Sequence, residues 1–347
     1  FPAPTHAGRA AARRGDPVGL SGNGSGPLLE ARNVVQEFVV RGRGGVKGGV
    51  VQAVSDVSLQ IAPGETLGIV GETGSGKSTL ARSLLQAPGP RSGSVQLRGT
   101  ELVGLKGREL LEARRSMQMV FQDPFGSLDP KWRVADIVSE PLVAYGVGTR
   151  PERRRKVREV LDLVGLDPDV FSRRRPRQLS GGQAQRVAIA RALTLDPALI
   201  ICDEAVSSLD VLIQAQVLNL FERLRAELGL SYLFIAHDLA LVKQVSDRVA
   251  VMHLGKLCEV GPAEALYREA RHPYTVALLA SVPSPDPEAP KTAAHEAVRG
   301  DPPSPIDPPS GCRFRTRCPR AQERCATEEP LLLGDEHTVA CHFPVER

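Results

Sequence analysis

The stretch that decides the fold is Gly71 to Ser78 (GETGSGKS), which matches the phosphate-binding loop pattern G-x-x-x-x-G-K-[ST]. The apolar run Thr66–Val70 before it predicts a buried strand, and a helix is expected from Lys77 to Gln86. Glycines let such a loop curl so that its N–H groups point at an anion, and the positive end of the following helix adds to the field. The loop therefore predicts nucleotide binding, with Lys77 reaching the β- and γ-phosphates and Ser78 ligating Mg²⁺.

The nucleotide contacts expected from this stretch are Gly71, Thr73, Gly74, Ser75, Gly76, Lys77, Ser78 and Thr79. A glycine-rich turn with an incidental lysine is the alternative interpretation. The strand before the loop and the helix after it are the context that a phosphate-binding loop requires, and they argue against that alternative.

A second stretch, Leu199 to Glu204 (LIICDE), predicts a buried strand that ends in two acids. Carboxylates at the carboxyl end of a parallel strand lie where ligands bind in open α/β sheets. Asp203 is expected to hold Mg²⁺ through water, and Glu204 to act as the general base for the attacking water. A strand ending in an exposed acidic turn is the alternative. Cys202 is interpreted as an inert core thiol.

A third stretch, Leu179 to Gln183 (LSGGQ), is expected to open a helix. Ser180 and Gln183 have the spacing of a capping box, and Gly181 and Gly182 leave backbone amides bare beside the serine hydroxyl. This would be a second anion site, which makes sense if it completes the nucleotide pocket of another copy of the fold. Simple helix capping is the alternative.

The rest of the chain alternates between strand and helix patterns. Residues 28–59 predict antiparallel strands at a sheet edge, and the runs Tyr232–Ala236 and Arg248–Leu254 predict buried strands. Apolar positions from Ile213 to Leu228 predict an amphipathic helix that ends at a glycine. Such alternation implies a mostly parallel sheet covered on both faces, into which residues 131–180 insert a basic helical subdomain.

Composition narrows the class of protein. The 347 residues are 41% hydrophobic with a net charge of +4, so the total demands no nucleic-acid partner. The arginine clusters at 153–155 and 173–175 are interpreted as a solvated helix face. No run reaches the roughly 18 apolar residues of a membrane span, so any transport pathway is expected on other chains.

Together these motifs resemble the ATP-binding cassette (ABC) family. Gln122 resembles the Q-loop glutamine, which implies contact with Mg²⁺, with the attacking water and with a membrane subunit. Ser208–Asp210 resembles the D-loop at the dimer interface, and His237 resembles the switch histidine that contacts the γ-phosphate. The resemblance also implies an aromatic residue stacked on adenine. Phe38 is the candidate, with a buried edge-strand residue as the alternative.

A narrower resemblance is to the ATPases of oligopeptide and dipeptide importers. It rests on Phe121–Pro130 (FQDPFGSLDP), Asp203–Leu220 and His272–Thr275. It implies ATP hydrolysis that powers peptide import at the cytoplasmic face of the cell membrane. The implied partners are two membrane permease subunits, a second ABC ATPase chain in a heterodimer, and an extracytoplasmic peptide-binding protein. The alternative is a soluble ABC ATPase of DNA repair or translation.

The last 36 residues contain four of the six cysteines, spaced C-x5-C-x6-C-x15-C at Cys312, Cys318, Cys325 and Cys341. Four thiolates can enclose a [4Fe–4S] cluster or a zinc ion. The tight C-x2–4-C pair of structural zinc sites is missing, and the tail resembles importer ATPases that carry an iron–sulfur cluster, so the cluster is preferred. Zinc and free thiols are the alternatives, and a tail that acts as a redox sensor of the ATPase can coexist with transport. Nearby His337 and His342 are treated as bystanders.

The expected fold is therefore a P-loop NTPase α/β core with an antiparallel β edge, a helical insertion and a small Cys-rich C-terminal module. Its expected divisions are a disordered tail at 1–27, with a transit peptide as the alternative, and a nucleotide-binding domain at 28–270. A Pro-rich linker at 271–310 and a Cys-rich extension at 311–347 follow.

Overall fold

The structure, a computed structural model, describes residues 26–41, 48–281, 301 and 303–346. The predicted N-terminal tail lies almost wholly outside this range. The strands are β1 (Leu29–Val40), β2 (Gly49–Ile61), β3 (Thr66–Val70), β4 (Ser92–Leu97), β5 (Thr100–Glu101), β6 (Met117–Val120), β7 (Leu199–Asp203), β8 (Ser231–Ile235), β9 (Arg248–His253), β10 (Lys256–Pro262) and β11 (Thr338–Val339).

The helices surround these strands. They are α1 (Lys77–Leu84), α2 (Gly107–Arg115), α3 (Pro124–Ser127), α4 (Val134–Ala144), α5 (Arg150–Leu163), α6 (Pro168–Phe171), α7 (Gly181–Leu193), α8 (Val211–Leu228), α9 (Leu239–Val245), α10 (Ala263–Arg268), α11 (Pro273–Ala280) and α12 (Arg324–Thr327), with a 3₁₀ turn at Pro176–Gln178. No helix among the described residues has both the length and the apolarity that crossing a bilayer requires.

A seven-stranded sheet with the order β11-β10-β9-β3-β8-β7-β6 forms the centre of the molecule. The strands from β9 to β6 pair in parallel, whereas β10 and β11 join antiparallel. Every residue of β3, β7 and β8 is buried, which explains why these strands read as continuous apolar runs rather than alternating ones. The predicted mostly parallel sheet is confirmed.

A second sheet, with the order β2-β1-β4-β5, is antiparallel throughout and confirms the predicted antiparallel edge. Its buried face packs with α1 against one face of the central sheet. That core contains residues such as Leu29, Ile61, Leu80 and Ile235. The opposite face of the central sheet packs against α7, α8 and α9. The loop between β3 and α1 is thus held by a core on each side.

The predicted helical insertion is also present, because residues 121–198 are all described and contain no strand. Thr149 and Glu152 form a capping box that begins α5. The amphipathic helix expected over Ile213–Leu228 is α8, and Gly229 closes it in the left-handed conformation at φ 65°.

Two expected boundaries, the end of α1 and the start of the linker, are wrong. Helix α1 ends at Leu84 instead of Gln86, whose positive φ of 59° turns the chain away. The linker expected at 271–310 begins with a packed helix, α11, in which Tyr274 and Thr275 are fully buried. Proline at the first helical position is compatible with a helix start, so Pro273 marks a helix and not a linker.

The Cys-rich tail is packed onto the core and is not a separate module. Strand β11 pairs with β10 through Glu259 and Val260, and the backbone N–H of Ala340 donates to the Cys258 carbonyl at 2.8 Å. Phe314 is 2% exposed and belongs to the same apolar core as the central sheet. The domain boundary therefore has a hydrophobic interface that composition did not indicate.

Candidate nucleotide-binding site

Four neighbouring strands deliver the predicted motifs to one edge of the central sheet. The phosphate-binding loop follows β3, His237 follows β8, Asp203 and Glu204 end β7, and Gln122 follows β6. These strands are adjacent and parallel, so their carboxyl ends meet at the same edge. That edge is where ligands bind in open α/β sheets.

The loop itself is held in a conformation that only glycine allows at its last turn. Gly76 has φ 105° and immediately precedes α1. A Cβ atom there would lie 2.0 Å from the Ala53 carbonyl oxygen, which contact distances forbid. The first turn of α1 therefore presents its free backbone N–H groups to the loop, as anion binding requires.

Lys77 is the cation of the loop and is buried within it, with 4% of its surface exposed. Its Nζ donates to the Gly71 carbonyl at 2.7 Å and to the Glu72 carbonyl at 3.0 Å. Burial lowers the pKa of Lys77, and the nearby carboxylates of Glu204 and Asp203 oppose that shift. The ammonium group is thus desolvated and positioned before any phosphate binds.

Ser78 and Asp203 form the candidate Mg²⁺ site. The Ser78 hydroxyl donates to Asp203 Oδ1 at 2.7 Å, although the two residues are 125 positions apart. Asp203 is 6% exposed, and burial raises its pKa while the Ser78 hydrogen bond opposes the shift. A carboxylate and a hydroxyl that already touch are the oxygen ligands that Mg²⁺ prefers, so this pair fits the cation.

A buried hydroxyl without a hydrogen-bond partner supports phosphate binding by this loop. Ser75 is 3% exposed, and its Oγ has no hydrogen-bond partner in the described structure. Buried polar groups are normally satisfied, so an orphan inside a phosphate-binding loop points to a ligand that supplies the missing bond. The loop therefore fits a polyphosphate.

Glu204 is held in a strained backbone conformation at the end of β7. Its φ is 51°, a region that non-glycine residues rarely adopt, and its backbone N–H donates to the Ile235 carbonyl at 2.9 Å. Strain of this kind is concentrated at functional sites. The carboxylate is 17% exposed and lies 3.7 Å from Nδ1 of His237, so the predicted base and the predicted switch residue are neighbours.

The comparisons with known proteins agree with this geometry. A family model described as ABC transporter matches residues 54–207. OppF of Escherichia coli (strain K12), an oligopeptide transport ATP-binding protein, is 50% identical over 293 residues that cover 84% of this chain and 87% of OppF.

The chain belongs to the ABC transporter family.

Another family model, another relative and a solved structure also match the chain. A second family model, described as Oligopeptide/dipeptide transporter, C-terminal region, matches residues 258–325. YkfD of Bacillus subtilis (strain 168), provisionally named an oligopeptide transport ATP-binding protein, is 48% identical over 320 residues, 91% of this chain and 95% of YkfD. The solved dimer of the ATP-binding cassette MJ0796, in a post-hydrolysis state with ADP and Pi, has a TM-score of 0.60. It is 29% identical and covers 68% of this chain and 99% of MJ0796.

Gln122, the predicted Q-loop glutamine, is in contact with the predicted D-loop. Gln122 is exposed, and its backbone carbonyl accepts a hydrogen bond of 3.4 Å from the Ser208 hydroxyl. The D-loop continues into Asp210, whose carboxylate caps α8 by accepting from the Ile213 N–H. The predicted Q-loop and D-loop are therefore in direct contact beside the candidate nucleotide site.

The LSGGQ segment is built as the sequence predicted. The Ser180 hydroxyl accepts from the Gln183 N–H at 3.4 Å, and the Gln183 side chain accepts from the Ser180 N–H at 3.1 Å. Gly182 packs so closely on α8 that a Cβ would lie 2.5 Å from the Ile213 side chain. Ser180 is exposed at the N-terminal end of α7, and its predicted contact with nucleotide stays a prediction.

The predicted adenine-stacking residue, Phe38, lies near the end of β1 and is paired with Val51 of β2. Its side chain is 39% exposed, so the alternative of a buried edge-strand residue is wrong. Stacking on adenine stays a prediction, because the turn at 42–47 that follows β1 lies outside the described residues.

All four tail cysteines line one cavity of about 10 Å³ beside α11. Burial raises the pKa of Cys312 to about 11 and raises that of Cys341, so these thiols are neutral as placed. Within the described residues, no three His, Cys, Asp or Glu side chains are arranged to hold a metal ion. The cavity has the size of one water molecule, so it would have to widen to hold a cluster.

The two histidines treated as bystanders have structural contacts. His342 lines the cysteine cavity, and its Nε2 lies 3.0 Å from the Glu328 carbonyl. His337 Nε2 lies 2.7 Å from the fully buried carboxylate of Glu259, which also accepts from the backbone N–H of His272. These contacts join β11 and the start of α11 to β10.

Sequence reasoning missed the residues that join the tail to the site. The Tyr274 hydroxyl accepts from the backbone N–H of Glu72 in the phosphate-binding loop at 2.8 Å, and Arg317 pairs with the Glu72 side chain. The one signal in the sequence was the resemblance of His272–Thr275 to importer ATPases. It marks a family but does not indicate a contact with a loop 202 residues away.

The buried histidines beside this contact predict a pH dependence of stability. Burial lowers the pKa of His272 to about 3 and that of His253 to about 4. In the unfolded chain both histidines bind protons below about pH 6.5. Their contribution to the free energy of unfolding is therefore fully present above that pH, and it is lost as the pH falls toward their pKa values in the folded protein. Each histidine contributes a slope of about 1.4 kcal/mol per pH unit in this window.

Replacing His272 by Asn should remove the contribution of His272 to the pH dependence of the free energy of unfolding. The amide oxygen can still accept from the Tyr274 N–H at the start of α11, as Nδ1 of His272 does at 3.0 Å. Urea unfolding at several pH values between about 4 and 6.5 measures the slopes for both proteins. Equal slopes for the variant and the wild type would contradict a buried neutral histidine at this position.

Proposed function

We propose that this chain is the ATP-binding and ATP-hydrolysing subunit that powers the import of oligopeptides or dipeptides through partner membrane subunits. The observation that carries the proposal is the convergence of four motif-bearing strand ends at one edge of the central sheet. The match of residues 258–325 to the transporter C-terminal region and the names of the relatives support peptides as cargo.

Different residues of the site are proposed to bind the phosphates and to hold Mg²⁺. The N–H groups at the start of α1 and the Lys77 ammonium bind the phosphates, and Ser75 and Thr79 contribute hydroxyls. Ser78 and Asp203 would hold Mg²⁺, with Gln122 as the third predicted contact. Bound Mg²⁺ neutralises charge on the transferred phosphoryl group.

Glu204 provides the general base of the reaction. Its carboxylate is proposed to accept the proton of the attacking water. The His237 imidazole, whose Nδ1 lies 3.7 Å from that carboxylate, is proposed to contact the γ-phosphate. The strained backbone at Glu204 fixes the direction of its side chain, which supports a positioning role in catalysis.

Two cassettes are proposed to close around two ATP molecules. Ser180, Gly181 and Gly182 of one cassette would complete the site of the other, because they expose a helix N-terminus that their own fold leaves open. The dimeric arrangement of the MJ0796 cassette supports this proposal. We propose that the second cassette is a different chain.

The membrane partners are proposed to be two permease subunits, supplied with cargo by an extracytoplasmic peptide-binding protein. The chain would act at the cytoplasmic face of the membrane. The Q-loop borders exposed apolar side chains at Phe121, Phe125 and Trp132, a surface suited to a partner. The contact between Ser208 and Gln122 would pass a change at the dimer interface to that surface.

Co-purification tests the transport assignment. The chain and its Glu204→Gln variant are purified from mildly solubilised membranes, and the accompanying proteins are identified. Permease subunits are expected with both forms. Recovery with ribosomes or DNA instead would favour a soluble ABC ATPase and would overturn the import proposal.

The four tail thiols are proposed to hold a [4Fe–4S] cluster. Support comes from their convergence on one cavity, which would have to widen to admit it. Anaerobic purification followed by iron and sulfide analysis should give equal amounts of both, lost in Cys312→Ser and retained in Cys202→Ala. Zinc without sulfide, or metal-free thiols, would overturn the cluster.

A further inference from the structure

An ion pair joins the C-terminal tail to the phosphate-binding loop. Nη1 of Arg317 donates to Oε2 of Glu72 at 2.7 Å, and Nη2 donates to Oε1 at 2.9 Å. The Arg317 side chain is 7% exposed and that of Glu72 is 26% exposed. A bidentate, mostly buried pair has a fixed geometry, which exposed ion pairs lack.

Glu72 is the second residue of the loop, and its backbone is held on both sides. Its N–H donates to the Tyr274 hydroxyl at 2.8 Å, and its carbonyl accepts from the Lys77 ammonium at 3.0 Å and from the Ser75 N–H at 3.1 Å. A displacement of Glu72 would therefore disturb Lys77 and Ser75, two of the residues proposed to contact the phosphates. Nothing in the loop's own sequence supplies the contact that fixes the Glu72 carboxylate.

Arg317, the tail residue of the ion pair, is held in place by packing of the tail on the core. Phe314 packs on the rings of His253 and Tyr274, with centroids 5.4 Å and 5.2 Å apart. The Arg317 N–H donates to the Phe314 carbonyl at 3.0 Å. Because Phe314 is buried in the main core, the position of Arg317 relative to the loop is fixed.

We propose that Arg317 is a positioning residue of the nucleotide site. Through Glu72 it holds the phosphate-binding loop in the conformation that receives ATP, so that docking of the tail and nucleotide binding stabilise each other. Coupling between two sites is reciprocal, so ATP must also stabilise the docked tail. The proposal deepens the proposed ATPase function and depends neither on the cargo nor on the content of the cysteine cavity.

The variants that test it are Arg317→Gln, Arg317→Lys, Glu72→Gln and the double change Arg317→Gln with Glu72→Gln. Loss of the pair should raise KM and the ATP dissociation constant about tenfold while kcat changes by less than about twofold, because the chemistry at Glu204 is untouched. Lysine keeps the positive charge but cannot make two parallel hydrogen bonds to the carboxylate, so Arg317→Lys should retain part of the affinity for ATP. The double variant should be no weaker than Arg317→Gln.

A control variant separates the Arg317 contact from other ion pairs of the tail. Arg324→Gln removes an exposed ion pair with Glu328 in the tail and leaves the loop and the pairing of β11 with β10 intact. It should keep the wild-type KM. An equal rise in KM for Arg324→Gln, or an unchanged KM for Arg317→Gln, would overturn the proposal.

Hydrogen exchange on the wild-type chain tests the reverse direction without any substitution. Binding of a non-hydrolysable ATP analogue should slow exchange at the amides of Cys312 and Arg317, whose hydrogen bonds lie within the tail. Unchanged exchange there despite saturation of the site would contradict the coupling. Absence of any nucleotide binding by the wild type would instead overturn the proposed function.

Discussion

Glutamine in place of Glu204 is expected to lower kcat for ATP hydrolysis by about a thousandfold and to leave ATP binding intact. An amide keeps the size of the side chain but cannot accept the proton of the attacking water. The backbone strain at φ 51° is the same for either residue, so the fold should not change. Loss of a negative charge beside the phosphates should, if anything, tighten binding of the nucleotide.

Phosphate release and equilibrium ATP binding measure the two effects separately. Glu227→Gln is the matched control, because Glu227 is exposed on α8 and remote from the sheet edge that forms the site. The control should keep wild-type turnover. Turnover in Glu204→Gln of more than about a tenth of the wild-type value would show that another group accepts the proton.

Alanine in place of Lys77 is expected to weaken ATP binding by at least about a hundredfold. The ammonium is already desolvated in the loop, with 4% of its surface exposed, so its interaction with phosphate charge is weakly screened by water. The variant also loses the hydrogen bonds of Lys77 to the Gly71 and Glu72 carbonyls, so the nucleotide-free variant should unfold at a lower temperature than the wild type.

Thermal unfolding with and without Mg·ATP reports both parts of this expectation. The wild type should be stabilised by ATP according to its affinity, whereas Lys77→Ala should show no shift at the same concentration. Lys106→Ala, an exposed lysine before α2, is the control and should behave as the wild type. A normal ATP-dependent shift in Lys77→Ala would remove Lys77 from the phosphate site.

The central site could be predicted from sequence because its signals are local. Each motif immediately follows a short apolar strand, and parallel strands bring their ends to a common edge. The Ser180 and Gln183 capping box is local in the same way, and it formed as expected. The order of the strands, which makes the motifs neighbours, was not predicted, because parallel pairing alone does not fix which strands are adjacent.

The contacts of the tail could not be predicted, since they join residues far apart in sequence. Arg317 and Glu72 are 245 positions apart, and neither belongs to a pattern that names a partner. Composition predicts a linker around Pro273, because it does not show that the next residue, Tyr274, is buried. The positive φ of Glu204 was also invisible, because glutamate carries no preference for that conformation.

The pairing of β11 with β10 has a consequence for solubility. In the described part of the chain, β11 is the outermost strand of the central sheet, and it covers the backbone groups of Glu259 and Val260. Without the tail, β10 would present an open strand edge, and the buried Glu259 carboxylate would lose His337. An exposed edge is a template for pairing with another chain, so we expect removal of the tail to promote aggregation.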